Sequence, residues 1–180
     1  QRGMSPFRKQ PKGPEEGGLP VLTVVYEDDD VAVVVKPMGM PMYYVSGREG
    51  KELRKKGPPD LVTSLAACLE PSASPDATDT GPAPTHRLDK ATGGLVLCAK
   101  TQTAAKSFNE QFQARTISKR YRAVVMGLLS GGGQVASEVD GKDAFSLYEP
   151  VRASRSLKFG WLTLVDMWPK TGRKHQCRVH

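Results

Sequence analysis

The chain has 180 residues, with 26 Lys and Arg against 19 Asp and Glu and a formal charge of +7. At 38% hydrophobic residues with 18 Gly and 14 Pro, it reads as about one domain of roughly 100–200 residues with some linker. No apolar run approaches the roughly 20 residues of a membrane-crossing helix, and Cys68, Cys98 and Cys177, never in a C-x-x-C pair, exclude a disulfide scaffold or cysteine-rich zinc module as the organising principle. The positive charge permits a polyanionic partner. The cysteines read as reduced and favour an intracellular site, in the cytoplasm or in an organelle such as a mitochondrion or plastid. A start at Gln1 and an end at His180, inside a strand-like run, read as a piece of a longer protein.

Residues 1–20, rich in Pro, Gly and Lys, read as a flexible basic tail before a domain over 21–180. Leu22–Tyr26 and Val31–Val35 are β-branched runs separated by Glu27-Asp28-Asp29-Asp30, which predicts strand, acidic turn, strand. The second run is apolar throughout, as in a strand buried on both faces, and ends at Lys36-Pro37-Met38-Gly39. Residues 46–84 read as an insertion or disordered loop. Within it, 46–60 carries the solvated basic run Arg54-Lys55-Lys56, and 71–84 is expected to lack regular structure. Between them Leu61, Leu65 and Leu69 share one helical face, closed by Pro71. Leu95–Ala99 predicts a strand, and Thr103–Gln113 a helix with Ala104, Ala105, Phe108 and Phe112 on one face. Lys119–Met126 predicts a strand in which Tyr121, Ala123 and Val125 share a side. Gly131–Gly133 and Asp140-Gly141 mark turns, and Trp161–Trp168 and His175–His180 predict the last two strands. The expected fold class is α+β, a mixed, largely antiparallel β-sheet with flanking helices.

The distinctive chemistry lies in His86–Gly94, where an aspartate sits between a basic dipeptide and a Thr-Gly-Gly turn before a strand. Asp89 there is either a catalytic carboxylate at a strand's mouth or an Asx-type turn cap. By residue type alone, Tyr121 is a core or edge aromatic and Arg178 a surface strand residue. Lys36 reads as a turn lysine in water, with a phosphate contact as the alternative, while Arg173 and Lys174 are basic residues just before the expected last strand. If Arg178 faces a cleft, strand alternation puts Gln176 and His180 beside it and packs Cys177 behind. His175 and Cys177 would then share a face, but their spacing with Cys68 or Cys98 gives no zinc signature, and no metal is expected.

Four segments in register carry a resemblance. HRLDKATGGLVLCAK resembles the H-R-L-D-x-x-T-S-G signature of the RluA family of RNA pseudouridine synthases. YEDDDVAVVVKPMGMPM is similar to that family's opening strand pair and Lys-Pro-x-Gly turn, KRYRAVVMG to its K-x-Y-x-A-x-V-x-G strand, and PKTGRKHQCRVH to its T-G-R-x-H-Q-x-R-x-H segment. The resemblance implies a pseudouridine synthase-like fold and a cofactor-free isomerisation of uridine in ribosomal, transfer or messenger RNA; a monomer is expected, although nothing in the sequence fixes the oligomeric state. It implies Asp89 as the catalytic aspartate, Tyr121 as the ring under the target uracil, Arg178 as the arginine that pairs with the carboxylate, and Arg87 as the side chain entering the RNA stack. His86, Arg173, Lys174 and Gln176 join Arg87 as expected RNA contacts.

Physical chemistry agrees with those roles. Detaching and rejoining a base needs a carboxylate beside the sugar, as nucleophile or as base for the 2′ proton. A guanidinium favours its charged form. Extruding a stacked nucleotide costs a few kcal/mol, offset by an aromatic platform and a plug for the gap. Two departures stand out: Gly93 replaces the usual Ser of T-S-G, and Met42-Tyr43 stands where a histidine is common. A catalytically inactive RNA-binding paralogue of the same fold is the alternative reading.

Overall fold

A strand needs partners for its backbone groups, and the first two runs find them in each other. In the computed structural model, which describes residues 22–44, 57 and 59–180, β1 (Thr23–Glu27) pairs antiparallel with β2 (Val31–Lys36) through the acidic turn. Asp28 shapes that turn, its carboxylate accepting the N–H groups of Asp30 and Val31 at 2.9 and 2.7 Å. Lys100 then pins it, donating from a buried ammonium to the Asp28 carbonyl (2.6 Å) and the Glu27 carboxylate (3.1 Å). The chain divides into two units, 1–110 and 111–180, each with its own sheet.

In the first unit the strand order is β1-β2-β4-β3, every pairing antiparallel, with β3 at Ala83–Pro84 and β4 at Gly94–Ala99. The β2 pattern is finer than an all-apolar strand implies. Ala32, Val34 and Lys36 are buried on one face, and the valines between them are half-buried. Helix α1 (Leu61–Cys68) buries Leu61 and Leu65, with Leu69 just beyond its end. The N–H groups of its first three residues, which the helix cannot satisfy internally, are all met, and the N-cap carbonyl accepts the first helical bond. Leu61 and Val62 donate to the carbonyls of Pro41 and Met42, Thr63 to the Asp60 carboxylate, and Ser64 to the Asp60 carbonyl. Residues 71–84 are more ordered than their composition suggests: β3 pairs with β4, and Ala77 forms a bridge with Thr101. The proline of β3 sits at a sheet edge, where its missing N–H is harmless. The expected tail and the Arg54-Lys55-Lys56 run lie outside the described residues.

Helix α2 (Gln102–Gln113) matches the Ala/Phe periodicity. In the second unit the order is β5-β8-β7-β6, again all antiparallel, from β5 (Tyr121–Met126), β6 (Gly133–Val139), β7 (Lys142–Ser156) and β8 (Gly160–Pro169). The sequence reading has no β6 or β7. These strands are polar and interrupted by Pro150, and their pairing is decided by partners rather than by hydrophobic alternation. Asp140 and Gly141, both at positive φ (53° and 68°), form the two-residue turn between them, whose backbone twist suits a hairpin. A bulge after Pro150 shifts the β7–β8 register. On β5 and β8, Arg122 grips its cross-strand neighbour Asp166 with two bonds of 2.8 and 2.9 Å.

The expected last strand is a correction. Residues 176–179 form a short helix, α3 (Gln176–Val179), entered through His175 at φ 60°. Six residues of alternating polarity fit a strand or one helical turn equally well. Here the backbone satisfies itself locally, with Arg178 and Val179 donating to the His175 carbonyl and His180 to that of Gln176.

Leu65→Ala is expected to lower the unfolding free energy by about 2–5 kcal/mol in a urea titration, because Leu65 has no access to solvent. Burial pushes the Cys98 thiol up to about 12, so it should resist alkylation at neutral pH while the protein is folded and react on unfolding. The Arg122 bonds hold the Asp166 carboxyl below its ordinary value. A carboxylate lowered on folding stabilises above its unfolded pKa, so this contribution should fade as pH falls through the acid range, and Asp166→Asn should flatten that part of the stability–pH curve.

Candidate active site

The first unit builds its candidate site around a lysine. Lys36 continues the period-2 face of Ala32 and Val34, so its stem runs inward, with 0% of the residue exposed. Its ammonium has three hydrogens and three acceptors: the carbonyls of Met40 (2.8 Å), Pro37 (3.0 Å) and Lys90 (3.3 Å). Burial lowers its pKa, and the charge of Asp89 works in the opposite direction. The expectation of a turn lysine in water is therefore corrected. Lys36 is an internal cation that ties the Lys-Pro-Met-Gly turn to the Asp89 loop and lies within electrostatic reach of that carboxylate. The signal was available, because a strand that buries residues 32 and 34 must aim residue 36 the same way.

The Asp89 loop is a tight turn, its carbonyl accepting the Thr92 N–H at 3.0 Å, and it docks on the Lys36 turn where the Gly39 N–H meets the Lys90 carbonyl at 2.8 Å. Gly39 has φ 83°, a conformation that glycine adopts at little cost. Gly93, in place of the expected Ser, is in close quarters: a Cβ there would lie 3.1 Å from the Met38 side chain and 3.4 Å from the Lys36 carbonyl. Leu88 is buried and Asp89 half-buried, so the loop is anchored by its leucine.

Two flanking residues are placed as follows. His86 accepts the Leu97 N–H through Nε2 at 3.1 Å, which leaves its proton on Nδ1 in the neutral form and anchors the loop to β4. Arg87 is exposed and donates to the Tyr43 hydroxyl at 3.2 Å, with its guanidinium 5.8 Å from the centre of that ring. Tyr43 is a platform that sequence reasoning missed, having noted it only as a departure. Met42 beside it is buried while Tyr43 is exposed.

The second unit holds the remaining candidates. Tyr121 opens β5 opposite Met167, half-buried on the same side as Ala123 and Val125. Gln176 is buried with its amide saturated. It accepts from the Thr171 hydroxyl (2.7 Å) and the Arg173 N–H (3.0 Å), and donates to the Phe145 carbonyl (3.0 Å) and the Ser146 hydroxyl (2.9 Å). Those bonds lock the segment after β8 to β7. Arg173 donates from Nε to the Asp143 carbonyl at 2.9 Å, and Lys174 is exposed. Arg178 is exposed on α3, with Nη1 3.3 Å from His175 Nδ1. The helical turn removes the two strand faces that would separate Gln176 and Arg178 from His175 and Cys177. No group of three or more His, Cys, Asp or Glu side chains suited to a metal ion occurs among the described residues.

Comparison with known proteins places these features in a family. The sequence profile described as RNA pseudouridylate synthase matches residues 30–180. The chain is similar to ribosomal large subunit pseudouridine synthase D of Neisseria meningitidis serogroup B, 34% identical over 174 residues covering 88% of this chain and 42% of that protein. It is also similar to an uncharacterized RNA pseudouridine synthase of Aquifex aeolicus, 30% identical over 178 residues covering 88% of this chain and 51% of that protein. The chain thus spans about half the length of the curated relatives it matches. Among solved structures, human RNA pseudouridylate synthase domain containing 4 shares the fold with a TM-score of 0.64 at 24% identity, over 87% of this chain and 62% of that one.

Lys36→Met is expected to leave the carbonyls of Pro37 and Met40 without the Lys36 donor, the Lys90 carbonyl keeping only the Gly39 N–H, and to destabilise the protein by about 1–3 kcal/mol or more in a denaturant titration. A lysine whose pKa is lowered on folding binds fewer protons in the native state, so stability should rise with pH from the folded pKa up to the unfolded value of about 10.4. That alkaline rise should disappear from the wild-type minus Lys36→Met difference curve if Lys36 remains fully charged.

Proposed function

Because the chain belongs to the RNA pseudouridylate synthase family, we propose that the protein to which it belongs isomerises uridine in structured RNA to pseudouridine, with Asp89 as the reacting carboxylate. The observation that carries this reading is the Asp89 loop itself. The H-R-L-D segment lies inside the matched region, and its aspartate sits on a hydrogen-bonded turn within electrostatic reach of a buried cation. The names of the ribosomal large subunit relatives favour large-subunit ribosomal RNA as the first substrate to test.

In the proposed reaction the bond from uracil N1 to the ribose breaks while the base stays bound. The base turns and rejoins the sugar through C5, C5 then losing its proton as N1 regains one. Asp89 acts beside the ribose, as the nucleophile at the sugar or as the base for its 2′ proton. Lys36 contributes a fixed positive charge that favours an ionised carboxylate. Tyr121 is assigned as the ring on which the extruded uracil stacks and Arg178 as the guanidinium partner of the reacting carboxylate, while Arg87, exposed above Tyr43, suits the gap left in the RNA stack. No step calls for an external redox partner, since the product is an isomer of the substrate.

In the full-length protein Asp89→Asn is expected to abolish pseudouridine formation, read by chemical mapping of incubated RNA, while RNA affinity changes little. Wild-type conversion by that variant would remove Asp89 from the mechanism. A wild-type protein that binds RNA without converting any uridine would favour the inactive paralogue.

A further inference from the structure

A second cationic feature lies within the second unit, built from residues other than the assigned site residues. The segment after α2 and the segment after β8 enclose a cleft of about 180 Å3. Arg115, Lys119 and Lys170 line it together with Thr116, Thr171 and Trp168. No acidic residue lines it, and none of the three cations makes an ion pair among the described residues. The Lys119 ammonium reaches across the floor, 3.9 Å from where a Cβ on Gly172 would stand. Such convergence of like charges is unfavourable by itself and becomes favourable when an anion sits among them.

The backbone supports the same conclusion. Helix α2 ends in a left-handed residue, with Arg115 N–H bonded to the Phe112 carbonyl (3.2 Å) and Thr116 N–H to that of Gln111 (3.1 Å). Glycine usually fills that position, whereas here Arg115 adopts φ 57° and is one of the residues lining the cleft.

We propose that this cleft grips one backbone phosphate of the RNA, a flanking subsite apart from the reacting nucleotide. The proposal rests on the RNA-modifying reading above. Size selects the ligand: the cleft is smaller than the roughly 300–1,000 Å3 of a typical small-molecule pocket, so it suits one phosphate with part of its ribose from a longer chain. The contact carries no base information and serves register and affinity.

The test is RNA binding by the full-length protein and its Arg115→Gly/Lys170→Gln variant, measured over a range of salt with a large-subunit ribosomal RNA fragment and with an unrelated single-stranded RNA. Affinity for both RNAs should fall on the order of tenfold, and the slope of log K against log salt should shrink by about 0.7–0.9 per phosphate lost. The variant should melt no lower than the wild type, since glycine relieves the left-handed residue. A folded variant with wild-type affinity and slope overturns the proposal. So does poly-glutamate of matched charge that binds the wild type as tightly as RNA does, which would mark an acidic-peptide site. If the wild type both binds RNA and forms pseudouridine while the variant is unchanged, only the cleft assignment falls. A wild type that does neither removes the reading beneath it as well.

Discussion

An ammonium group withdrawn from water is costly unless every proton finds an acceptor and a counter-charge lies near. Lys36 meets both conditions, through three carbonyls and the field of Asp89. Its acceptors come from two stretches of chain far apart in sequence, so the Lys-Pro-Met-Gly turn and the Asp89 loop form one body around a shared charge. Moving either stretch would strand a buried cation. The Gly39–Lys90 hydrogen bond and the close fit of Gly93 against Met38 add to the same lock. A reacting carboxylate needs this kind of support, because catalytic geometry is held by the shell behind the reacting group.

The second unit uses polar side chains in two opposite ways. Gln176 and Thr163 spend their side-chain bonds within the fold, and the Arg122–Asp166 pair ties β5 to β8 across the sheet. Arg115, Lys119 and Lys170 gather at a cleft that has no acidic lining. The contrast separates residues that fix the fold from residues whose charge is directed at solvent or ligand. Gln176 illustrates why residue type is a poor guide to that division. An amide at a basic chain end looks like an RNA contact, yet here its hydrogen-bonding capacity is filled by β7 and the neighbouring turn.

Several elements were legible because short-range rules dominate them. The β1–β2 hairpin follows from β-branched runs around an acidic turn, α1 from leucines at every fourth residue, and α2 from its Ala/Phe face. The Asp140-Gly141 turn follows from the backbone freedom of its residues. Strands β3, β6 and β7 were hidden because their residues are polar or proline-bearing, and only the neighbouring strand supplies the reason to extend. The end of the chain was misread for a related reason: His175–Val179 has no sequence feature that excludes a helical turn.

The sequence alone determined the order of the motifs, the placement of Asp89 on a loop before a strand, and through those motifs the family. These depend on residue type and spacing, which local sterics and periodicity translate directly into structure. Tertiary structure alone decided that Lys36 is internal, that Gln176 is a brace, that Tyr43 carries Arg87, and that three basic side chains meet in one cleft. Each of those outcomes depends on desolvation or on a partner many residues away, and neither quantity exists until the chain has folded.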